Sequence, residues 1–339
     1  MTSLVKLIGT ASVVLAVAIV IAAVAGVTHV TSPLNVSADT SIEVRRGSSI
    51  AGVARDLQQL GLLDDPRPMV WFARLSGQAN KIQAGEYALR RGDTVPALLA
   101  RMVRGETLRY SITFVEGWSF KQIRAALAGE ERLVQTTAEL SGAEIMQRLG
   151  RDGDHPEGRF FPDTYVFARG QSDLDVLKRS LQSMDDVLAD AWVKRASDLP
   201  YQTAYEALIM ASIVEKETGA AEERAHIAGV FVRRLRKDMK LQTDPTVIYG
   251  MGDRFDGDIR RKDLKEDTPY NTYVHKGLTP TPIASPGRAA ILAAVNPLPG
   301  TALYFVARGD GTGRHDFSDT YAQHKQAVQR YLARLRKKK

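Results

Sequence analysis

The stretch "RRGSSIAGVARDL", Arg45 to Leu57, decides the fold because its pattern returns twice further along the chain. A glycine is followed two places on by Ser or Thr, and apolar residues stand three, six and ten places after the glycine. The members are Gly47, Ser49, Ile50, Val53 and Leu57. In "RRGDTVPALLARM" they are Gly92, Thr94, Val95, Leu98 and Met102, and in "VEGWSFKQIRAAL" they are Gly117, Ser119, Phe120, Ile123 and Leu127. The glycine reads as a turn, the hydroxyl residue as a helix N-cap, and the apolar positions as one face of a helix. The segments "SIEVRRG", "AGEYALRRG" and "YSITFVEG" before these turns read as strands. Three strand-turn-helix units therefore predict an α+β region over residues 41–129.

The chain has 339 residues, 44% hydrophobic and 25% charged, long enough for two domains with a substantial core. It contains no cysteine, which excludes disulfides, thiolate metal sites and a cysteine nucleophile. Its six histidines lack metal-ligand spacing, so neither metal nor cofactor is expected and any chemistry falls to oxygen groups. The net charge of +7 and pI near 9.5 suggest an acidic partner, for which nucleic acid is the first candidate.

The N-terminus weighs against nucleic acid. From Leu7 to Thr28 the chain carries no charge, and about 20 apolar residues suffice to cross a bilayer. This predicts a tail at 1–6, a transmembrane helix at 7–28 and a polar linker at 29–40. A cleaved signal peptide is the competing reading, since Ala23-Val24-Ala25 fits a small-residue cleavage site. The uncharged run exceeds the roughly 7–15 residues of a signal h-region, which favours an anchor. Lys6 places the tail in the cytoplasm and the remainder outside. There an acidic cell-wall polymer or anionic lipid headgroups suit the charge better. The terminal "RLRKKK" reads as a solvated helix end.

Beyond Ala143 the character changes. "EGRFFPDTYVF" leads to a helix expected over Leu174 to Ala196, and Leu199-Pro200 marks a break. A helix expected from Tyr201 to Thr218 follows, with Gly219 in the left-handed position after it. Met239 to Gly313 is rich in Gly, Pro, Asp and Thr and reads as loops, the density that commonly carries a binding site. Within it "ALYFVA", Ala302 to Ala307, is expected as a buried strand. The chain closes with a helix from Asp319.

In "ASIVEKETG", Ala211 to Gly219, two carboxylates flank a lysine at the end of an apolar segment. At about 100° per residue, Glu217 falls between Ile213 and Val214 and over Met210, near the centre of the apolar face. Glu215 lies about 160° away, so the two cannot share one site. An apolar setting and the last helical turn both raise the pKa of Glu217. A carboxyl kept protonated in this way suits a general acid. The competing reading is a salt bridge from Glu217 to Arg224 or Arg233. Glu215 reads as a supporting charge paired to Lys or Arg.

"MASIVEKETG", "VFVRRLRKDMKLQTDPTVIYGMG", "PYNTYVHKGLTPTPIASPG", "AAVNPLPGTALYFVA" and "GRHDF" together resemble the membrane-bound endolytic murein transglycosylases, the YceG-like family. Five blocks in the right order make the resemblance specific, and it covers most of the chain. It implies a single-pass inner-membrane enzyme with periplasmic domains, the catalytic one at 143–339. Such enzymes cut nascent peptidoglycan strands between MurNAc and GlcNAc. The MurNAc C6 hydroxyl attacks its own anomeric carbon and leaves a 1,6-anhydro end, which sets strand length. The family's catalytic residue is the second glutamate of "EKET", here Glu217. An internal hydroxyl removes the need for the second carboxylate of a hydrolase. Cell-wall synthases (penicillin-binding proteins) and the bilayer are the further partners implied.

The first part of 41–129, about sixty residues, is also similar to a LysM-like module that binds N-acetylated glycans; a plain spacer is the alternative. Amides, hydroxyls and aromatic rings are what a sugar site uses. These come from Gln242, Thr243, Asp244 and Tyr249, from Tyr270, Asn271, Thr272 and Tyr273, and from Asp163 and Tyr165. Thr243-Asp244-Pro245 reads equally as a turn or cap. His315 and His324 are read as ordinary hydrogen-bonding residues. Ser285 before Pro-Gly, and Thr279 and Thr281 between prolines, depart from the family pattern in loop geometry only. Two other readings compete: a non-catalytic peptidoglycan-binding scaffold for synthases, and a hydrolase using Asp244 as partner carboxylate.

Overall fold

The computed structural model describes Val17, Val24, Gly26, Thr28 and residues 30–338. The expected tail at 1–6 and nearly all of the expected span at 7–28 lie outside the described residues. Among the described residues, no helix is long and apolar enough to cross a membrane. The chain divides into two compact units, Met1–Tyr110 with Val166–Gly170, and Ser111–Tyr165 with Gln171–Lys339. Both combine helices with small sheets, an α+β architecture.

In the first unit, β1 (Thr40–Val44) pairs antiparallel with β2 (Gly85–Leu89), Ile42 opposite Tyr87. Helices α1 (Ile50–Gln59) and α2 (Arg67–Leu75) lie between them in sequence, and α3 (Val95–Arg104) follows. The turns form as the pattern predicts. Gly47 and Gly92 take φ of 80° and 87°, open to glycine without a Cβ clash. Ser49 Oγ accepts from the Gly52 N–H and Thr94 Oγ1 from the Ala97 N–H. Ile50, Val53 and Leu57, and Val95, Leu98 and Met102, enter one core with Val44, Met69 and Tyr87. Helical period and burial agree because each of these helices has one face to hide.

The third occurrence builds β3 (Tyr110–Thr113), paired with β4 (Thr164–Phe167), and α4 (Phe120–Ala128). Gly117 has φ 78°. Ser119 and Gln122 form a reciprocal capping box, and Phe120, Ile123 and Leu127 are buried. This helix belongs to the second unit, so the boundary falls inside residues 41–129. Replacing Ser119→Ala removes the bond that the Gln122 N–H donates to Ser119 Oγ, while the Ser119 backbone N–H keeps its bond to Gln122 Oε1. The loss is expected to cost about 1 kcal/mol, read as a lower urea midpoint at unchanged m-value, and an unchanged midpoint would refute the cap's role.

The rest of the second unit contains α5 (Gly142–Arg148), α6 (Asp173–Val193), α7 (Ala204–Glu217), α8 (Arg224–Arg236), α9 (Asp244–Met251), α10 (Arg288–Val295), β5 (Tyr304–Ala307), β6 (His315–Ser318) and α11 (Tyr321–Lys338). Helix α7 lies at the centre, packed by α6, α8 and α10, with every residue from Ala207 to Val214 buried. A helix covered on all sides has no polar face, which qualifies the single apolar face expected from periodicity. For the same reason the apolar α10, "RAAILAAV", shows no amphipathic signal, and it and α9 occupy the region read as loops. β5 pairs antiparallel with β6, Phe305 opposite Phe317, and is half-buried rather than buried. Helix α7 begins at Ala204, capped by Thr203, not at Tyr201. Thr218 ends it in an extended conformation at φ −143°, so Gly219 does not supply the expected left-handed cap.

Candidate active site

The three charges of Glu-Lys-Glu at the end of α7 leave the helix in three directions. Glu215 Oε2 accepts from the Gly287 N–H at 2.9 Å, and its Oε1 lies 3.3 Å from Arg224 Nη2. An anionic oxygen at the N-terminus of α10 is stabilised by the free amides there, so Glu215 ties α7 to α8 and α10. The expected pairing to Lys or Arg is met by Arg224. Lys216 Nζ donates to the Gly117 carbonyl at 3.3 Å. Glu217 takes neither arginine: Arg224 is held by Glu215, and Arg233 donates to the carbonyls of Ala302 and Leu298.

Glu217 is half-buried as a residue, with its carboxyl end enclosed. Thr243 Oγ1 donates to Glu217 Oε2 at 2.5 Å. Burial pushes the carboxyl above the ordinary glutamate range; the Thr243 bond opposes this, Asp244 adds to it, and His315 and Arg234 oppose it. Desolvation disfavours the anion, and no adjacent ion pair restores it. The result is a carboxyl poised to hold a proton beside an exposed polar rim.

That rim comes from the segment entering α9. Thr243 occupies the N-cap position but makes no side-chain cap bond, because its hydroxyl serves Glu217. Gln242 before it is exposed and sits at φ 50°, a left-handed conformation that costs a non-glycine residue roughly 1–2 kcal/mol. Its N–H donates to the Thr272 carbonyl, and the Thr243 N–H to Thr272 Oγ1 at 3.1 Å. Asp244 is exposed and accepts from Tyr273 Oη at 2.6 Å. Burial, then the Asp244 carboxylate, push the Tyr273 phenol up.

The other sequence-derived candidates lie elsewhere. Asn271 is 1% exposed and spends its amide on the carbonyls of Asp263 and Glu266 and on the Tyr273 N–H, so it shapes the loop that carries Tyr273. Tyr249 donates to Glu157 Oε2 at 3.2 Å and packs edge-on against Tyr270. Tyr165 is 7% exposed, lies tilted against Phe114 and donates to the Phe161 carbonyl, a place in the core. Asp163 is exposed; its carboxylate accepts from the Thr164 N–H and its carbonyl from the Phe114 N–H. Among the described residues, no group of three or more His, Asp and Glu side chains is placed to hold a metal ion.

Comparison with known proteins bears on this geometry. A family model described as the YceG-like family matches residues 42–330. The chain belongs to the YceG-like family. It is 31% identical over 310 residues to the endolytic murein transglycosylase of Bacillus subtilis (strain 168), covering 86% of this chain and 85% of that protein. It is 27% identical over 300 residues to the endolytic murein transglycosylase of Streptococcus pneumoniae (strain D39), covering 79% of this chain and 54% of that one. A crystal structure of a yceG-like protein from Listeria monocytogenes aligns with a TM-score of 0.54 at 28% identity, over 85% of this chain and 99% of that one.

Two buried side chains of the YceG-like chain, Arg234 and Glu157, escaped the sequence reading, which named His315 only as a hydrogen-bonding residue. His315, on β6, pairs through Nδ1 with Glu223 Oε2 at 2.8 Å and donates its backbone N–H to the same carboxylate. Arg234 projects from α8 into the protein. Its signal was legible, since it stands three, four and seven places after Phe231, Val230 and Ile227, on the buried stripe of that helix. Glu157 is 5% exposed and accepts from the Phe120 N–H at 3.0 Å. Thr243→Val removes the donor that favours the Glu217 carboxylate. The expected result is a kcat loss of about tenfold or more at little change in KM, with the alkaline limb of kcat/KM moved to higher pH. Thr243→Ser should restore both, and an unshifted limb would refute the coupling.

Proposed function

We propose that this protein is an endolytic murein transglycosylase that cleaves peptidoglycan glycan strands between MurNAc and GlcNAc, with Glu217 as its acid and base. The carrying observation is the enclosed Glu217 carboxyl at the end of a helix buried from Ala207 to Val214, steadied by Thr243. The family membership and the activity named for the relatives support the same reading. Protonated Glu217 gives its proton to the GlcNAc O4 as the C1–O4 bond breaks. The MurNAc O6 then bonds to C1, and its proton passes to the Glu217 carboxylate. Atoms balance without water, and one carboxyl suffices. Gln242, Asp244 and Tyr273, at the rim, are the groups proposed to meet sugar hydroxyls and N-acetyl groups, while Thr243 and Glu215 hold Glu217 in place.

The βααβ order of the first unit supports a LysM-like glycan-binding role. The uncharged run at 7–28 supports a single-pass inner-membrane anchor with both units in the periplasm, close to the synthases whose strands would be cut. The test is incubation of the full chain with uncross-linked glycan strands, followed by mass spectrometry. Anhydro-ended fragments are expected. Fragments heavier by one water would replace this reading with a hydrolase, and intact strands would replace it with a binding scaffold.

A further inference from the structure

Arg234 is a buried cation without an anion. On the same helix Arg224 pairs with Glu215 and Arg236 with Asp198, while Arg233, away from Glu217, donates to the carbonyls of Ala302 and Leu298. Arg234, 7% exposed, makes only backbone bonds and a ring contact among the described residues. Its Nε donates to the Leu303 carbonyl at 2.7 Å, its Nη1 to the carbonyls of Leu241 at 2.6 Å and Lys240 at 3.4 Å, and its guanidinium lies 5.3 Å from the Tyr304 ring centre. Leu241 stands two residues before Thr243, so these bonds fasten the Glu217-binding segment to the residue that precedes β5. Carbonyls solvate a guanidinium but do not neutralise it, and a buried charge left unmatched is costly.

The groups facing the Glu217 carboxyl account for the missing anion. From α9 come Thr243, which donates to it, and Asp244, whose charge opposes a second anion; beyond them is Tyr273, bonded to Asp244. From β6 comes His315, whose Nδ1 is hydrogen-bonded to Glu223. From α8 comes Arg234, whose guanidinium is bonded to the Leu241 carbonyl two residues before the Thr243 that holds Glu217, and its positive charge favours the Glu217 carboxylate. Of these, Arg234 is the one cation with no counter-charge of its own. We propose that Arg234 is the positioning residue of the reaction cycle: it holds the segment bearing Thr243, and its charge, unmatched while Glu217 is protonated, is matched by the carboxylate that proton donation creates. The anion then persists long enough to take the proton of the attacking O6, which restores the resting state. This rests on Glu217 acting as acid and base, and it explains why the site keeps a buried charge that an apolar side chain could replace.

The test separates the coupling from the activity. Full-length chain labelled with 13Cδ-glutamate, with the Glu217 signal assigned by E217Q, gives the Glu217 titration without substrate. In R234M the midpoint is expected to rise by roughly one pH unit, and kcat on glycan strands to fall at least tenfold. R234K keeps the charge but cannot bond the Leu241 and Leu303 carbonyls together. Its titration is expected to stay near that of the parent while kcat falls and KM holds. An unmoved midpoint in R234M, or an unchanged kcat in R234K, overturns the proposal; where R234M does not fold, the R234K kcat decides. If the parent cuts no glycan, the transglycosylase reading fails, while the titration still reports whether Arg234 and Glu217 are coupled.

Discussion

Glu217→Gln reduces glycan cleavage by about 10³-fold or more at unchanged fold. General acid catalysis contributes roughly 10²–10⁴-fold, and here one carboxyl is asked to act twice, as acid and then as base. A loss of 10³ corresponds to about 4 kcal/mol of transition-state stabilisation. Glutamine matches glutamate in shape, and its amide oxygen still accepts from Thr243 Oγ1, so the change removes the proton and little else. Because burial raises the Glu217 pKa, removing the ionisable group does not weaken the fold at neutral pH, and the thermal midpoint should hold or rise slightly. In the parent, kcat/KM requires protonated Glu217 and therefore falls as pH rises through that raised value. Anhydro-product formation counted by mass spectrometry checks the prediction; activity within tenfold of the parent would remove Glu217 from the chemistry.

The second large effect concerns stability. Burial raises the Glu157 carboxyl from the ordinary glutamate value to about 7, although the Phe120 N–H, Tyr249 Oη and the Gly158 N–H favour its charged form. Phe120 opens α4, and Tyr249 lies on α9, so this carboxyl joins two elements of the second unit. In the folded protein it binds its proton more tightly than in the unfolded chain. Its stabilising contribution is therefore complete below the ordinary value of 4.5 and is lost as pH rises to about 7. A shift of that size corresponds to about 3 kcal/mol. Glu157→Gln is expected to flatten this pH dependence and to be more stable than the parent at pH 8 than at pH 5, by about that amount. Urea unfolding of both chains across this range decides it: parallel stability curves would show that Glu157 does not titrate as its burial requires.

The strand-turn-helix units were legible because each depends on neighbours in sequence. A glycine that can turn left-handed, a hydroxyl within reach of the third following amide, and apolar residues at helical spacing suffice for Gly47, Ser49 and Ile50 and for their two repeats. The helical geometry of Ala211 to Thr218 likewise separated Glu215 from Glu217 before any partner was known. The same logic failed for α10, where burial on every side erases the polar period, and at Gly219, where Thr218 leaves the helix in an extended conformation. Residue type likewise does not reveal whether an amide or phenol is turned inward to the backbone, as those of Asn271 and Tyr165 are.

The local strand-turn-helix order, the capped helix starts at Ser49, Thr94 and Ser119, and the opposite directions of Glu215 and Glu217 were thus determined by the sequence alone, since they rest on bonds and angles spanning two to four residues. Only the tertiary structure decided what Glu217 meets. Its Thr243 donor is 26 residues away, the Gly287 amide that holds Glu215 is 72 away, and the Glu223–His315 pair spans 92. No local rule reaches across such separations. They are set by the packing of α8, α9, α10 and β6 around one buried helix, and that packing also encloses the carboxyl and raises its pKa.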